Sequence, residues 1–283
     1  MPHTYHCVTN QSIQLEETKG RHIYSNNRGQ SYPGVTTVLG LVSGQGLITW
    51  ASNVNTDYVY EKLGWDPDTK KFSTPTYEIP QVLPHILELA RKRHTNLRDA
   101  AGEKGKAIHF AFEQRLKGLQ IPSSLLRDEF VYKVIDNFDI WLKKTEFELL
   151  YSGTNPLSEV KLLNPDGSYG GTVDAVARLK DKGVCIIDFK TGKTIPKTVF
   201  YQLSAYAIAY GKSASVYDED IESENFGKII EDCFPDTCLA LHVLQSGNIK
   251  EKCVMTRKEY EDTYTFFIHL SEFYKDYKKR SWR

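Results

Sequence analysis

The feature that most constrains the fold is a pair of strand-like runs in residues 170–191, GGTVDAVARLKDKGVCIIDFKT, which are joined by a short polar turn. The second run begins with a continuous apolar stretch, residues 184–187, which is typical of a strand that is buried on both faces. Because side chains alternate between the two faces of a strand, Asp188 and Lys190 point to the same side. Charged side chains at the end of such a strand indicate a functional site.

A turn centred on Asp181 would pair the two runs so that Asp174 lies directly opposite Asp188. Directly opposed Cβ atoms are roughly 5 Å apart, and two carboxylates at that distance repel each other unless a cation lies between them. Carboxylate oxygens suit Mg²⁺ and Mn²⁺. The pattern therefore predicts a site for Mg²⁺ or Mn²⁺, although aspartate and lysine beside a turn are also common as solvated surface charge.

Residues 199–210, VFYQLSAYAIAY, have the length and composition of a helix, and we expect Gly211 to end it. Gln202, Tyr206 and Tyr210 follow one another at four-residue steps, so they lie on one side of that helix. This stripe is either part of the site or the edge of an amphipathic core face.

Four motifs that occur in order give the chain a resemblance to a known family. They are G-x-x-D at residues 171–174, D-x-K at residues 188–190, Q-x-x-x-Y at residues 202–206, and an upstream GKAIHFAFE segment that contains His109 and Glu113. Together they resemble the RecB-like branch of the PD-(D/E)XK nuclease superfamily. The resemblance implies an α/β fold with a central mixed β-sheet flanked by helices, which is a restriction-endonuclease-like core.

The resemblance also implies a role for each residue of the motifs. His109, Asp174, Asp188 and the backbone carbonyl of Phe189 would be metal ligands, and Lys190 would orient or activate the attacking water. The remaining candidates would support the ligands or contact DNA, and they are Glu113, Gln202 and Tyr206. Glu159, in the strand-like LSEVKLL, is either a further metal ligand or only a partner for Lys161 or Lys190.

A second likeness lies in the N-terminal third of the chain. Residues 32–41, YPGVTTVLGL, resemble the opening of phage exonucleases and of exonucleases of the mitochondrial genome maintenance type, with Gly34 where serine is usual. This likeness favours a DNA exonuclease that acts on single-stranded or end-bearing DNA in replication, recombination or phage genome processing. The alternatives are a structure-selective or restriction-type endonuclease and a catalytically silent nucleic-acid-binding module.

The length of 283 residues fits one elaborated domain, 1–283, with a mainly helical accessory region at 1–96 and the nuclease core at 97–283. Residues 35–118 are predicted to be mostly helical, broken by a loop at 64–84. Later elements are expected as a helix at 125–144, a hairpin of residues 238–245 and 249–255, and a closing helix at 257–279.

Charge and hydropathy limit the function classes. Lys+Arg and Asp+Glu both number 36, so the chain is not globally basic, but cations that include Arg91 and Arg93 cluster in residues 91–106. We expect this cluster to bind the DNA backbone, with replication or recombination proteins as further partners. Residues 1–283 contain neither a signal-peptide pattern nor a long apolar stretch, so we expect no membrane partner and a cytoplasmic protein, with a phage gene as one origin.

Overall fold

The structure is a computed structural model, and it describes residues 6–8, 13–18, 21–42, 44–217, 229–231 and 233–279. The acidic run at 218–224, which the sequence suggests is a solvated insertion, lies outside the described residues. The helices of the described residues are α1 (Val35–Leu39), α2 (Gly44–Leu63), α3 (Ile79–Leu116), α4 (Ser123–Leu126), α5 (Glu129–Lys144), α6 (Thr198–Ser213) and α7 (Arg257–Lys279).

The strands form several sheets, of which the largest has six strands. The strands of the described residues are β1 (His6–Val8), β2 (Gln14–Thr18), β3 (Arg21–Ser25), β4 (Ser31–Pro33), β5 (Trp65–Asp66), β6 (Lys71–Phe72), β7 (Glu148–Leu149), β8 (Tyr151–Ser152), β9 (Asn155–Pro156), β10 (Ser158–Leu163), β11 (Gly170–Leu179), β12 (Gly183–Lys190), β13 (Ala214–Tyr217), β14 (Ile229–Glu231), β15 (Thr237–Val243) and β16 (Ile249–Thr256).

The six-stranded sheet has the order β10-β11-β12-β15-β16, with β7 paired to β11 outside this path. The β12–β15 pair is parallel and the other pairs are antiparallel, so the predicted mixed sheet is confirmed. In the β11–β12 hairpin Ala175 pairs with Ile187 and Leu179 pairs with Gly183, which centres the hairpin on Asp181 as predicted. The same register brings Asp174 and Asp188 to neighbouring positions at the open end of the hairpin.

Each face of this sheet carries its own apolar core because the side chains of its strands alternate. On one face Val176 and Ile186 pack against α6 and α7. On the other face Ala177 and Ile187 pack against the C-terminal part of α3 and against α5. The sheet is therefore flanked by helices on both sides.

Helix α6 is buried almost all around, because it packs on the sheet on one side and on α7 on the other. Its small residues make this burial feasible. Gly211, which was expected to end the helix, lies within it, since α6 continues to Ser213. A Cβ atom at Gly211 would come within 2.3 Å of the ring of Phe234, so close packing explains this glycine.

Two further expectations need correction. The loop predicted to continue to residue 84 ends earlier, since α3 begins at Ile79 and accommodates Pro84 in its second turn at the cost of one helical hydrogen bond. The predicted helix at 125–144 is divided into α4 and α5, because Asp128 caps α5 by accepting hydrogen bonds from the backbone N–H groups that follow it.

The chain divides into a larger unit, Met1–Leu41 with Ala107–Arg283, and a smaller unit, Val42–Lys106. From the sequence the accessory region was expected to span 1–96. The smaller unit contains α2, the β5–β6 hairpin and the first part of α3, so it is mainly helical. Among the described residues, no helix has both the length and the apolar character needed to cross a membrane.

Candidate metal centre

Three carboxylates lie on three neighbouring strands of the larger unit. Asp174 on β11 and Asp188 on β12 are brought together by the hairpin register. On the other side of β11, the pairing of Ser158 with Ala175 places Glu159 of β10 across from Asp174. The acidic side chains therefore come from consecutive strands of one sheet, and Asp174 stands in the middle.

His109 of α3 completes this group. Its Nδ1 atom lies 3.4 Å from Oδ1 of Asp174, and its ring meets the ring of Phe189 edge-on with centroids 5.7 Å apart. The helix is held in this position because Ile108 and Phe112 are buried in the core beneath the sheet. His109, Glu159 and Asp174 can each offer one ligand atom, and these atoms all lie within 4.8 Å of one another.

The backbone at Glu159 has an unusual conformation. Its φ angle is 56°, in the left-handed region that residues other than glycine seldom adopt, and it lies within a strand. Such strain persists only where the surrounding structure enforces it, and it is concentrated at functional sites. Sequence reasoning left Glu159 undecided between a ligand and an ion-pair partner. Among the described residues, no ion pair joins it to Lys161 or Lys190, and it lies instead with His109 and Asp174.

Asp188 is almost fully buried, with 3% of its surface exposed. Its Oδ2 atom lies 2.5 Å from the Nζ atom of Lys190, which projects from the same face of the strand. Gln202 donates from Nε2 to Oδ1 of Asp188 at 3.4 Å and to the hydroxyl of Tyr206 at 2.9 Å. Gln202 therefore supports this carboxylate, and Tyr206 and Tyr210 of the same stripe also belong to the apolar core on this face of the sheet.

The backbone of Phe189 also contributes to the arrangement. Its N–H donates to Oδ2 of Asp174 across the end of the hairpin, while its ring is buried among Phe112 and Phe138. These contacts fix Asp174 from one side as His109 fixes it from the other. The proposed use of the Phe189 carbonyl as a ligand stays a prediction.

The pKa values of the cluster reflect its burial and its excess of negative charge. Burial and the neighbouring charge of Asp174 raise the pKa of Glu159 to about 7. Burial is also the main cause that raises the pKa of Asp188, against the opposing charge of Lys190. For His109, burial alone lowers the pKa, but the hydrogen bond and charge of Asp174 outweigh it, so the net pKa shift is upward. Protonation is thus favoured at several of these groups when no cation is bound.

The other predicted residues take different positions. Glu113 forms an ion pair with Lys117, one turn further along α3, instead of contacting the imidazole of His109. Its negative charge nevertheless contributes to the raised pKa of Glu159. Arg91 and Arg93 belong to the smaller unit, where the guanidinium of Arg93 lies 5.4 Å from the centre of the Tyr58 ring.

These residues fit a divalent cation. Carboxylate oxygens with one imidazole nitrogen form a donor set that suits Mn²⁺ and that tolerates Mg²⁺. The geometry tests the fit, since His109, Glu159 and Asp174 each bring a ligand atom within 4.8 Å of the others, and burial together with the charge of Asp174 raises the pKa of Glu159. A cation held by His109, Glu159 and Asp174, with Asp188 beside them, would offset the negative charge of the carboxylates.

Comparisons with known proteins add little to this picture. No protein-family model matches the chain, and no curated protein sequence matches it. One solved structure that is similar to this chain is the crystal structure of SSO0001. The similarity covers 81% of this chain and 85% of that one, with 15% sequence identity and a TM-score of 0.30. A TM-score this low supports no statement about function.

Proposed function

We infer that the chain is a metal-dependent nuclease that hydrolyses phosphodiester bonds of DNA, and specifically an exonuclease that acts on single-stranded or end-bearing DNA. The observation that carries this proposal is the convergence of three strand-borne carboxylates, Glu159, Asp174 and Asp188, on His109 with Lys190 beside them. Hydrolysis of a phosphodiester needs a nucleophilic water and stabilisation of negative charge on phosphate oxygens, and this group of residues can serve both needs.

The divalent cation, Mg²⁺ or Mn²⁺, would be held by His109, Glu159 and Asp174 with Asp188. When bound, it would polarise the phosphodiester and lower the pKa of a bound water. Asp174 is prepared for this role because its carboxylate is already oriented by the N–H of Phe189 and by the ring of His109.

Lys190 is the cationic side chain that can act on the substrate directly. Its side chain is 25% exposed while its ammonium contacts the buried Asp188, so the ammonium can reach both the carboxylate and a group on the solvent side. There it would orient the attacking water or stabilise the developing charge on a phosphate oxygen. Gln202 and Tyr206 hold the Asp188 carboxylate in position. Burial raises the pKa of Tyr206 well above its usual range, so its hydroxyl stays neutral.

The preference for DNA with free ends rests on the resemblance of residues 32–41 and of the four motifs to exonucleases. The chemistry of the cluster does not distinguish an exonuclease from an endonuclease on the same core. An assay must therefore separate the requirement for metal from the requirement for an end.

The test compares 5′-labelled and 3′-labelled linear strands with covalently closed circles, each single-stranded and double-stranded, in EDTA and then with Mg²⁺, Mn²⁺ or Zn²⁺ restored. We expect no hydrolysis in EDTA, recovery with Mg²⁺ or Mn²⁺, and degradation of linear single strands while circles persist. If circles are cleaved as fast as linear strands, the protein is an endonuclease and the exonuclease proposal is wrong. Absence of hydrolysis with every metal and substrate would leave a silent nucleic-acid-binding module.

A further inference from the structure

A polar cavity of about 330 Å³ lies in the larger unit, between the turn that joins β3 to β4 and the last residues of β10. This volume is at the lower end of the range for ligand pockets, roughly 300–1,000 Å³. Arg28 from the turn and Lys161 from β10 both line it. Within the part of the chain that the structure describes, no carboxylate lines the cavity and neither cation forms an ion pair, so its electrostatic character is positive.

The turn that carries Arg28 is held in one conformation by its own side chains. Oδ1 of Asn26 accepts hydrogen bonds from the backbone N–H groups of Arg28 at 3.0 Å and Gln30 at 3.1 Å. Nδ2 of Asn26 donates to Oε1 of Gln30 at 2.9 Å and to the hydroxyl of Tyr32 at 3.2 Å. Gly29 supplies the positive φ angle of 74° that closes the turn. A preorganised turn of this kind loses little entropy when it binds a ligand.

Lys161 connects the cavity to the metal centre. It pairs with Thr172 in the β10–β11 register, and it follows Glu159 by two residues on the same strand. Two residues of a strand span about 7 Å, which is about the backbone separation between Lys161 at the edge of the cavity and Glu159. Thr172 is itself fixed, because its Oγ1 atom lies 3.0 Å from the hydroxyl of the buried Tyr24.

We propose that this cavity is a nucleotide subsite, in which Arg28 and Lys161 bind a backbone phosphate of the substrate strand next to the scissile one. A guanidinium matches the geometry of phosphate oxygens, and a lysine adds a point charge. The side-chain amide of Asn27 and the Nε2 group of Gln30, whose residues also line the cavity, offer hydrogen-bonding groups to the edge of the attached base. This subsite deepens the proposed function and rests on it for the identity of the bound strand.

The subsite can be tested without hydrolysis. Deoxyadenosine monophosphate, deoxyadenosine and inorganic phosphate are titrated in EDTA by calorimetry into the wild-type chain and into Arg28→Gln, Lys161→Gln and the control Lys258→Gln, which removes an exposed cation on α7. We expect the monophosphate to bind wild type at least about tenfold more tightly than deoxyadenosine, because one charged hydrogen-bonding pair is worth this factor or more. Arg28→Gln and Lys161→Gln should each weaken monophosphate binding about tenfold, and Lys258→Gln should not.

The outcomes separate the subsite from the nuclease. Monophosphate binding that is the same in all four proteins, or that falls equally in Lys258→Gln, would overturn the subsite even if the chain hydrolyses DNA. If inorganic phosphate binds as tightly as the monophosphate, the cavity is a general phosphate site and does not contact the nucleoside. The expected pattern in a chain that fails to hydrolyse DNA with any metal would retain the subsite and reject the nuclease.

Discussion

At the scale of single residues, the candidate metal centre depends on the balance between buried carboxylates and the positive charges beside them. Asp188 is held by one cation, Lys190, and by one amide, Gln202. Glu159 lies beside Asp174, and burial and the charge of that neighbour raise its pKa to about 7, although the charges of His109 and Lys117 act in the opposite direction. Lys190 and Glu159 therefore carry different predictions, one for turnover and one for metal binding.

Replacing Lys190 by alanine should lower kcat by about 100-fold or more, as expected when one charge-stabilising donor is removed, and should change KM by less than about twofold. Single-turnover hydrolysis of a labelled single strand in saturating Mg²⁺ measures both values. Lys193→Ala, which removes an exposed lysine from the following loop, is the matched control and should leave kcat within about twofold. A parallel loss of DNA affinity and turnover would show that Lys190 merely anchors phosphate.

Replacing Glu159 by glutamine should weaken Mn²⁺ binding by at least about tenfold, because a charged donor is lost from the cluster. Calorimetric titration at constant pH measures the affinity, and Glu148→Gln, an exposed strand residue, should not change it. Equal Mn²⁺ affinity in Glu159→Gln and wild type would exclude Glu159 from the metal site.

The hairpin aspartates and Lys190 could be predicted from sequence because strand alternation and a turn centre determine which side chains meet. Glu159 could not be assigned in the same way. Its place across from Asp174 follows from the pairing of β10 with β11, and its positive φ angle is a distortion for which strand alternation carries no signal. The sequence also could not determine the partner of Glu113, because Lys117 and His109 are both one helical turn away from it.

At the scale of elements, the long apolar and periodic segments were the most predictable. The hairpin register, the β15–β16 hairpin and the bounds of α7 at Arg257–Lys279 follow from local pattern. The beginning of α3 and the end of α6 do not follow from local pattern. Helix α3 contains a proline near its start, and in α6 Gly211 lies inside the helix because Phe234 packs against it. Tertiary packing outweighed the local signal in the second case.

Helix α7 begins with a capping arrangement that yields a pH prediction. Glu259 accepts hydrogen bonds at 2.8 Å from both the backbone N–H and the hydroxyl of Thr256, and these bonds lower the pKa of its carboxyl below 4.5. A carboxyl whose pKa is lower in the folded state than in the unfolded state stabilises the fold at pH values above its unfolded-state pKa. This contribution disappears as pH falls through the folded-state pKa. Glu259→Gln should therefore lower Tm at pH 7, and the difference from wild type should shrink below pH 4.5.

Thermal unfolding of the metal-free proteins between pH 3 and pH 7 measures this Tm difference, which we expect to be on the order of a few degrees or less. Glu88→Gln, which changes an exposed helical glutamate, is the control and should show no such pH trend. A Tm difference for Glu259→Gln that is constant across this range would mean that the charge of Glu259 does not contribute to the cap.

At the scale of the whole molecule, equal numbers of acidic and basic residues, 36 of each, leave DNA binding to local surfaces. The larger unit carries the candidate metal centre and the Arg28–Lys161 cavity. The smaller unit carries the cations of residues 91–106, and the sequence could predict their clustering but not that Arg93 would lie over Tyr58. Because these cations and the proposed metal ligands belong to different units, we expect separable effects on binding and on chemistry.

Reversing the charges of Arg91 and Arg93 to glutamate should weaken binding of a linear single strand and reduce the salt dependence of its affinity by about one unit of slope per lost phosphate contact. The requirement for Mg²⁺ or Mn²⁺ should not change. Fluorescence anisotropy across salt concentrations measures the slope, with Lys258→Glu as the control. An unchanged slope would exclude this cluster from the DNA-binding surface.

The proposed function requires the facing carboxylates of the hairpin to hold the metal that supports hydrolysis. This requirement is tested by the initial rate of linear single-strand degradation in Mg²⁺ by wild type and by the Asp174→Asn, Asp188→Asn double variant, with circular dichroism to verify folding. Asparagine retains an acceptor for the Phe189 N–H while it removes the charge. We expect the folded double variant to have no measurable activity in Mg²⁺ or Mn²⁺, and hydrolysis by it at the wild-type rate would exclude these carboxylates from the metal site.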